Sequence, residues 1–441
     1  MPMVNLTERL EQIADLDSIA VRGRVAQAVG LVVEGYGPMN SIGELCEIVR
    51  EDGSDRILAE AVGFRDQRVL LMPLGEMRGI GPGSHLIMQG RTASAPVGPG
   101  LLGRVLDGLG LPLDGKGPVS AEADYPLYAA PLNPMHRRRI TQPLDLGVRA
   151  INGFLTCGRG QKVGIFAGSG VGKSVLLGML SRYTAADVNV IALIGERGRE
   201  VNEFLERDLQ AAGLKRSVVI VATSDQPPLV RLRGAFLATA IAEYFRDCGK
   251  QVLLMMDSLT RFAHGQREVG LAIGEPPTTK GYTPSVFTLM PKLLERAGTC
   301  QGAGSITGLY TVLVEGDDLS DPIADAARSI LDGHIVLSRE MAARNQFPAV
   351  DILQSTSRVM RDVAVPEHYA AARSVMEALA TYRHSEDLIN LGAYKPGINA
   401  KLDRAVTQHG AITAYFRQEV NQKAPLGESV VALLKLAEAL R

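Results

Sequence analysis

Apolar positions change their period along the chain. Between Asn5 and Ser18, Leu6, Leu10, Ile13 and Leu16 fall at helical spacing, and Asn5 with Glu8 resembles a capping box. A short helix with an apolar stripe follows, with little chain beside it to cover the stripe. From Val21 to about Gln89 the pattern breaks into short β-rich runs: Val21–Val29, Leu31–Val33, Cys46–Val49, Ile57–Val62, Val69–Leu71 and His85–Met88. Glycines and polar turns separate them, which predicts a small β-barrel or sandwich. The Gly- and Pro-rich stretch Pro96–Pro118 reads as a connector. From Gln161, apolar runs at Lys162–Ala167, Val188–Ile194, Val218–Ala222 and Val252–Met256 alternate with helical stretches such as Leu229–Arg246. That alternation predicts a parallel sheet with helices on both faces. After Pro366 the strands stop, and Glu367–Arg383, Ala400–Gln422 and Ser429–Leu440 read as helices. The expected organisation is a helix over residues 1–18, a β-barrel over 19–90, an α/β domain over 91–365 and a helical domain over 366–441.

The strongest local signal is Ala167-Gly168-Ser169-Gly170-Val171-Gly172-Lys173-Ser174, between a predicted strand and the helical stretch Val175–Arg182. A P-loop requires that context. Glycines let backbone N–H groups turn inward around phosphate oxygens, and the following helix aims its positive end at the same charge. The nucleotide cradle is then Gly168, Ser169, Gly170, Val171, Gly172, Lys173, Ser174 and Val175. Lys173 is placed to reach the β- and γ-phosphates, and the Ser174 hydroxyl to ligate Mg²⁺. Ala167 stands where a glycine is usual, a mild departure. A ligand-free strand-to-helix turn is the plain alternative, and a Rossmann reading does not fit the Lys-Ser ending.

Gly195-Glu196-Arg197-Gly198-Arg199-Glu200 follows the next predicted strand. Ligands of open α/β sheets bind at the carboxyl ends of strands, so Glu196 is on the correct edge to orient an attacking water. Arg197 could neutralise γ-phosphate charge; surface ion pairs are the bland reading of these residues. Val252–Asp257 is an apolar strand ending in an acid, the Walker B pattern, in which the carboxylate holds Mg²⁺ through water.

Composition narrows the class. A chain of 441 residues is too long for one core, and about three domains is the prior. Hydrophobic residues make up 46% and charged residues 22%, with a formal net charge of -1, which gives no basic footprint for nucleic acid. Arg137-Arg138-Arg139 reads as a solvated surface or a structural clamp. Cys46, Cys157, Cys248 and Cys300 are far apart without a CxxC pair, which argues against zinc and for a reducing compartment. No apolar run approaches ~18 residues, and residues 1–18 lack a signal-peptide core, so a cytoplasmic protein is expected.

With these residues placed, the chain closely resembles the catalytic subunits of rotary ATPases from about residue 20 to 425. The resemblance is carried by AGSGVGKS (167–174), GERGRE (195–200), LLMMDSLTRF (253–262), GYTPSVF (281–287), DDLSDP (317–322) and FPAVDILQSTSR (347–358). Within that superfamily it is similar to the type III protein-export ATPases. FAGSGVGKSVLLGML, RYTAADV and GERGREVNEF are similar to the flagellar branch. The resemblance implies Glu196 as the catalytic carboxylate, Arg197 near the γ-phosphate, and Asp257 and Glu200 as magnesium-shell acids. It further implies Arg261 as a support for Glu196, Phe347 stacked on adenine, and Arg358 as an arginine finger donated across a subunit interface. Read alone, Phe347 would be core and Arg358 a surface residue. Leu391–Asn399 falls where rotary ATPases carry an acidic hairpin that contacts a central stalk; here it is not acidic.

The family pattern thus implies a homohexameric ATPase that uses ATP and Mg²⁺ and energises flagellar protein export. Its implied partners are a stator-like regulatory protein at the N-terminal helix, a central-stalk-like protein near Leu391–Asn399, and the export gate with its substrates. Peripheral association with the inner-membrane export apparatus follows. The rival readings are an injectisome secretion ATPase, a catalytic subunit of a rotary ATP synthase, a nucleic-acid translocase and a non-catalytic nucleotide-binding regulator.

Overall fold

The structure, a computed structural model, describes residues 22–37, 41–51, 53, 55–314, 318 and 320–440. The helix expected at Asn5–Ser18 lies outside them.

Six strands form a closed barrel: Arg22–Val29, Val32–Tyr36, Glu44–Val49, Arg56–Arg65, Arg68–Pro73 and His85–Thr92, joined in the order first, second, fifth, fourth, third, sixth. Closure decides between barrel and sandwich, and it leaves no open edge to pair with another chain. Inward positions such as Val33, Ile48, Ala59 and Leu71 form its own small core. The loop joining the fourth and fifth strands is two residues long. Asp66 and Gln67 both have positive φ (47° and 63°), the twist that tight hairpins need.

The second compact unit holds a nine-stranded sheet. Its order is Val350–Ser357, Gly333–Leu337, Lys162–Ala167, Ser305–Leu313, Gln251–Asp257, Val188–Ile194, Ser217–Ala222 and Val105–Asp107, with Gly298–Thr299 paired beside Ser305–Leu313. The central strands are buried on both faces, which is why they read as continuous apolar runs. Two features differ from expectation. Val105–Asp107 lies in the stretch read as a connector, and at three residues it is too short to show a period. Val350–Ser357 runs antiparallel at the other edge, and its outer residues are polar.

The helices Pro366–Asn390, Ala400–Phe416 and Leu426–Ala439 pack onto this unit, with Phe154 edge-on to Tyr415 at 5.6 Å between ring centroids. The middle helix stops six residues before its expected end at Gln422. Tertiary bonds override helix propensity there. The Gln418 backbone N–H donates to the Phe347 carbonyl at 2.9 Å. The Gln418 side chain accepts from the Arg149 N–H at 2.7 Å and donates to the Gly147 and Gln422 carbonyls at 2.9 and 2.7 Å. The arginine triplet is mainly a clamp. Arg137 donates to the Ala297 carbonyl at 2.7 Å and to that of Glu295, and Arg138 to those of Cys300 at 3.0 Å and Gly302. Arg139 faces Asp362 at 3.4 Å.

Candidate active site

The buried strand Lys162–Ala167 feeds a loop in which Gly170 and Gly172 have φ of 78° and 88°. Those values are costly for residues with a Cβ, so the loop needs glycine at both positions. Helix Lys173–Tyr183 starts immediately afterwards. The loop therefore presents a helix N-terminus with Ser169, Gly170 and Ser174 exposed, while Gly168 and Val171 are buried. Such geometry can cradle a phosphate.

Parallel pairing brings the other acids to the same sheet edge. Ala167 pairs with Leu313, Met256 with Tyr310, and Leu193 with Asp257. The Lys173 Nζ lies 2.6 Å from Asp257 Oδ1 and 3.3 Å from Glu196 Oε1, with all three side chains largely buried. Burial alone would lower the lysine's pKa, but the Asp257 and Glu196 carboxylates outweigh it and hold the ammonium form. Burial, with the nearby Asp257 charge and a hydrogen bond with the Glu200 carboxyl, pushes Glu196 up to about 7, against the pull of Lys173. A carboxyl poised there can accept a proton near neutral pH.

A pH dependence follows. The kcat/KM of hydrolysis should rise with pH through about 7 and level off above, as Glu196 ionises in the free enzyme. Because folding raises this group's pKa, its contribution to stability is full below the ordinary Glu range and is lost as pH rises through about 7. A pH–rate profile checks the activity limb, and Glu196→Gln should abolish it.

The remaining expected residues divide. Glu200 lies one helical turn beyond Glu196 and pairs with the exposed Arg197 at 3.5 Å, so Arg197 stands outside the Lys173 cluster. Arg261 packs its stem against the Glu196 turn: a Cβ on Gly195, whose φ is 70°, would sit 2.8 Å from the Arg261 Cβ. The Arg261 Nε is buried without a hydrogen-bond partner among the described residues. Phe347 borders the cradle, since a Cβ on Gly172 would meet its ring at 3.7 Å. It lines a cavity of about 580 Å³ with Val171, Gly172 and Val175 on one side and Arg417, Glu419 and Val420 on the other. That size suits a base and ribose. The wall from residues 417–420 was not visible in the sequence, because it exists only where the helix is cut short.

Arg358 is not brought to this edge. It follows the antiparallel strand, where Ser357 pairs with Gly333, while Val350 at the other end pairs with Leu337. An eight-residue strand separates the two edges by roughly 25 Å. Arg358 is exposed there, and among the described residues its side chain donates only to the Arg328 carbonyl, at 3.3 Å. The loop Leu391–Asn399 forms the tip between two helices, with Leu391 and Ile398 about four-fifths exposed.

Three family models cover the chain in order. The ATP synthase alpha/beta family β-barrel domain matches residues 25–88, the nucleotide-binding domain of that family 147–357, and the T3SS EscN ATPase C-terminal domain 364–435. The flagellum-specific ATP synthase of Bacillus subtilis is 52% identical over 427 residues, covering 95% of this chain and 96% of that one. The chain belongs to the flagellar and type III secretion ATPases of the ATP synthase alpha/beta family. The type 3 secretion system ATPase of Xanthomonas euvesicatoria, a member of the same family, is also 52% identical, over 400 residues, 91% of this chain and 90% of its own. The assembled ATPase EscN of enteropathogenic E. coli superposes with a TM-score of 0.89 at 46% identity, over 94% of this chain and all of that one. EscN in complex with its central stalk EscO gives 0.87 at 45%, with the same coverage. The family thus fixes ATP as the nucleotide and the three-part architecture. Among the described residues no helix is long and apolar enough to cross a membrane.

Proposed function

We propose that this chain is a Mg-ATPase that works as a homohexameric ring and energises flagellar type III protein export. The observation that carries the chemistry is the cluster of Lys173, Glu196 and Asp257 at the P-loop edge, at 2.6 and 3.3 Å. ATP lays its phosphates on the N–H groups of 168–174, with the base beside Phe347. Lys173 leaves the carboxylates for the phosphates. Glu196 orients the attacking water and takes its proton, for direct in-line transfer without a covalent intermediate. The Ser174 hydroxyl and the Asp257 and Glu200 carboxylates are hard oxygen donors that suit a magnesium ion, the acids acting through water. When bound, that ion neutralises charge developing on the phosphates. Arg358 acts on the neighbour's site, Arg261 supports the Glu196 turn from behind, and Arg197 is left to meet γ-phosphate charge from its exposed position.

Partners follow from the same reading. Self-assembly and a central-stalk partner are supported by the assembled relative and its stalk complex; the family resemblance assigns the stalk contact to Leu391–Asn399. With no acidic hairpin, Leu391 and Ile398 offer that contact apolar surface instead. The stator-like protein at residues 1–18, the export gate and its substrates, and peripheral association with the inner membrane complete the proposal.

The discriminating experiment is an in-frame deletion in the source organism, complemented with the intact gene or with Lys173→Ala. The expected result is a non-motile strain without flagella, restored only by the intact gene. Intact flagella with blocked effector secretion would assign the chain to an injectisome instead.

A further inference from the structure

Ser305–Leu313 is inserted between the P-loop strand and the Asp257 strand, and it places Thr311 level with Ile165 on one side and beside Met256 and Asp257 on the other. Thr311 is fully buried. Its Oγ1 is 2.6 Å from Asp257 Oδ1 and 3.5 Å from the Met256 carbonyl. A hydroxyl has one proton to donate, and the shorter contact, to a carboxylate, takes it. The plain alternative is a strand threonine satisfied by backbone; the distances favour the carboxylate.

Asp257 Oδ1 therefore holds two donors, the Thr311 hydroxyl and the Lys173 ammonium, each at 2.6 Å. The two differ in what nucleotide binding asks of them. Lys173 is required at the phosphates once nucleotide binds, whereas Thr311 is fixed in a buried strand with a β-branched side chain of restricted χ1. We infer that Thr311 is the positioning residue of the magnesium site: it anchors Asp257 through Oδ1 after Lys173 departs, and so keeps Oδ2 as the oxygen offered to the metal's water. This rests on the reading of Asp257 as a magnesium-shell acid. It adds a device: the lysine can exchange carboxylate for phosphate without setting the aspartate free to rotate.

The test uses the full-length protein and a fluorescent ADP analogue, titrated with excess Mg²⁺ and again in EDTA. The readout is the ratio of the two affinities, which a general loss of packing does not change. Thr311→Val keeps the shape and removes the donor. It should leave the EDTA affinity within about twofold and reduce the Mg²⁺-dependent tightening roughly tenfold, the scale of one hydrogen bond to a charged group. Thr311→Ser should restore the ratio to within about threefold of the parent. Added to Asp257→Asn, Thr311→Val should change the ratio no further, because its effect runs through that carboxylate. If Thr311→Val does not give folded protein, Thr311→Ala is expected to show the same reduced ratio. An unchanged ratio in the hydroxyl-less variant, equal weakening in both conditions, no rescue by Ser, or additivity with Asp257→Asn would each overturn the inference. If Asp257→Asn itself keeps the full ratio, the magnesium reading of Asp257 fails first. If it loses the ratio while Thr311→Val keeps it, only Thr311 is excluded.

Discussion

Glu196→Gln should bind ATP nearly as well as the parent and turn it over at least ~10²-fold more slowly. The amide keeps the shape of the carboxylate but cannot accept the proton of the attacking water. It does not disturb the stronger partner of Lys173, which is Asp257 at 2.6 Å rather than Glu196 at 3.3 Å. The cradle is thus preserved. Lys173→Ala is the contrast: it removes the phosphate-facing charge and leaves two buried carboxylates facing each other, so binding and turnover should both fall. Equilibrium binding beside steady-state hydrolysis separates the two variants. Equal loss of binding in both would make Glu196 a structural residue.

Arg358→Ala should cut turnover by about 10³-fold, the lower end for an arginine finger. The folded state should change little, since the residue is exposed and its side chain meets one carbonyl. The distinctive expectation concerns mixtures. An Arg358→Ala subunit retains Glu196, and a Glu196→Gln subunit retains Arg358, so some interfaces of a mixed ring regain a complete site. Hydrolysis should rise above that of either variant alone. No recovery at any ratio, in oligomers verified to contain both, would sink the shared site.

The placement of proposed site residues within one strand-loop-helix unit was legible, because chain neighbours are space neighbours there. The Gly168–Ser174 cradle, Glu196 after Val188–Ile194 and Asp257 at the end of Gln251–Asp257 are of this kind. The six-stranded barrel was legible as a choice between two β architectures, which closure then decided. Thr311 was not, because strand order differs from chain order: its partner Asp257 lies 54 residues away on the adjacent strand. Nor was the wall at residues 417–420, where Gln418 bonds to Gly147 and Phe347 end a helix that local sequence would continue. The role proposed for Arg358 rests on family resemblance alone. What the sequence lacked was the direction of the strand before it, which decides which edge it serves.

That direction has a consequence for counting. Strand Val350–Ser357 starts beside the chain's own P-loop and ends at the opposite edge; on the proposal that Arg358 serves a neighbour, every subunit carries one incomplete site and one spare finger. Contacts of this head-to-tail kind complete themselves only by closing on a circle. An isolated subunit would then have no working site, a pair one, and any open arc one fewer than its number of subunits. The final closure is the only addition that brings two sites to life at once. Specific activity should therefore keep climbing with assembly and reach its ceiling at closure, so that the ring is its own switch.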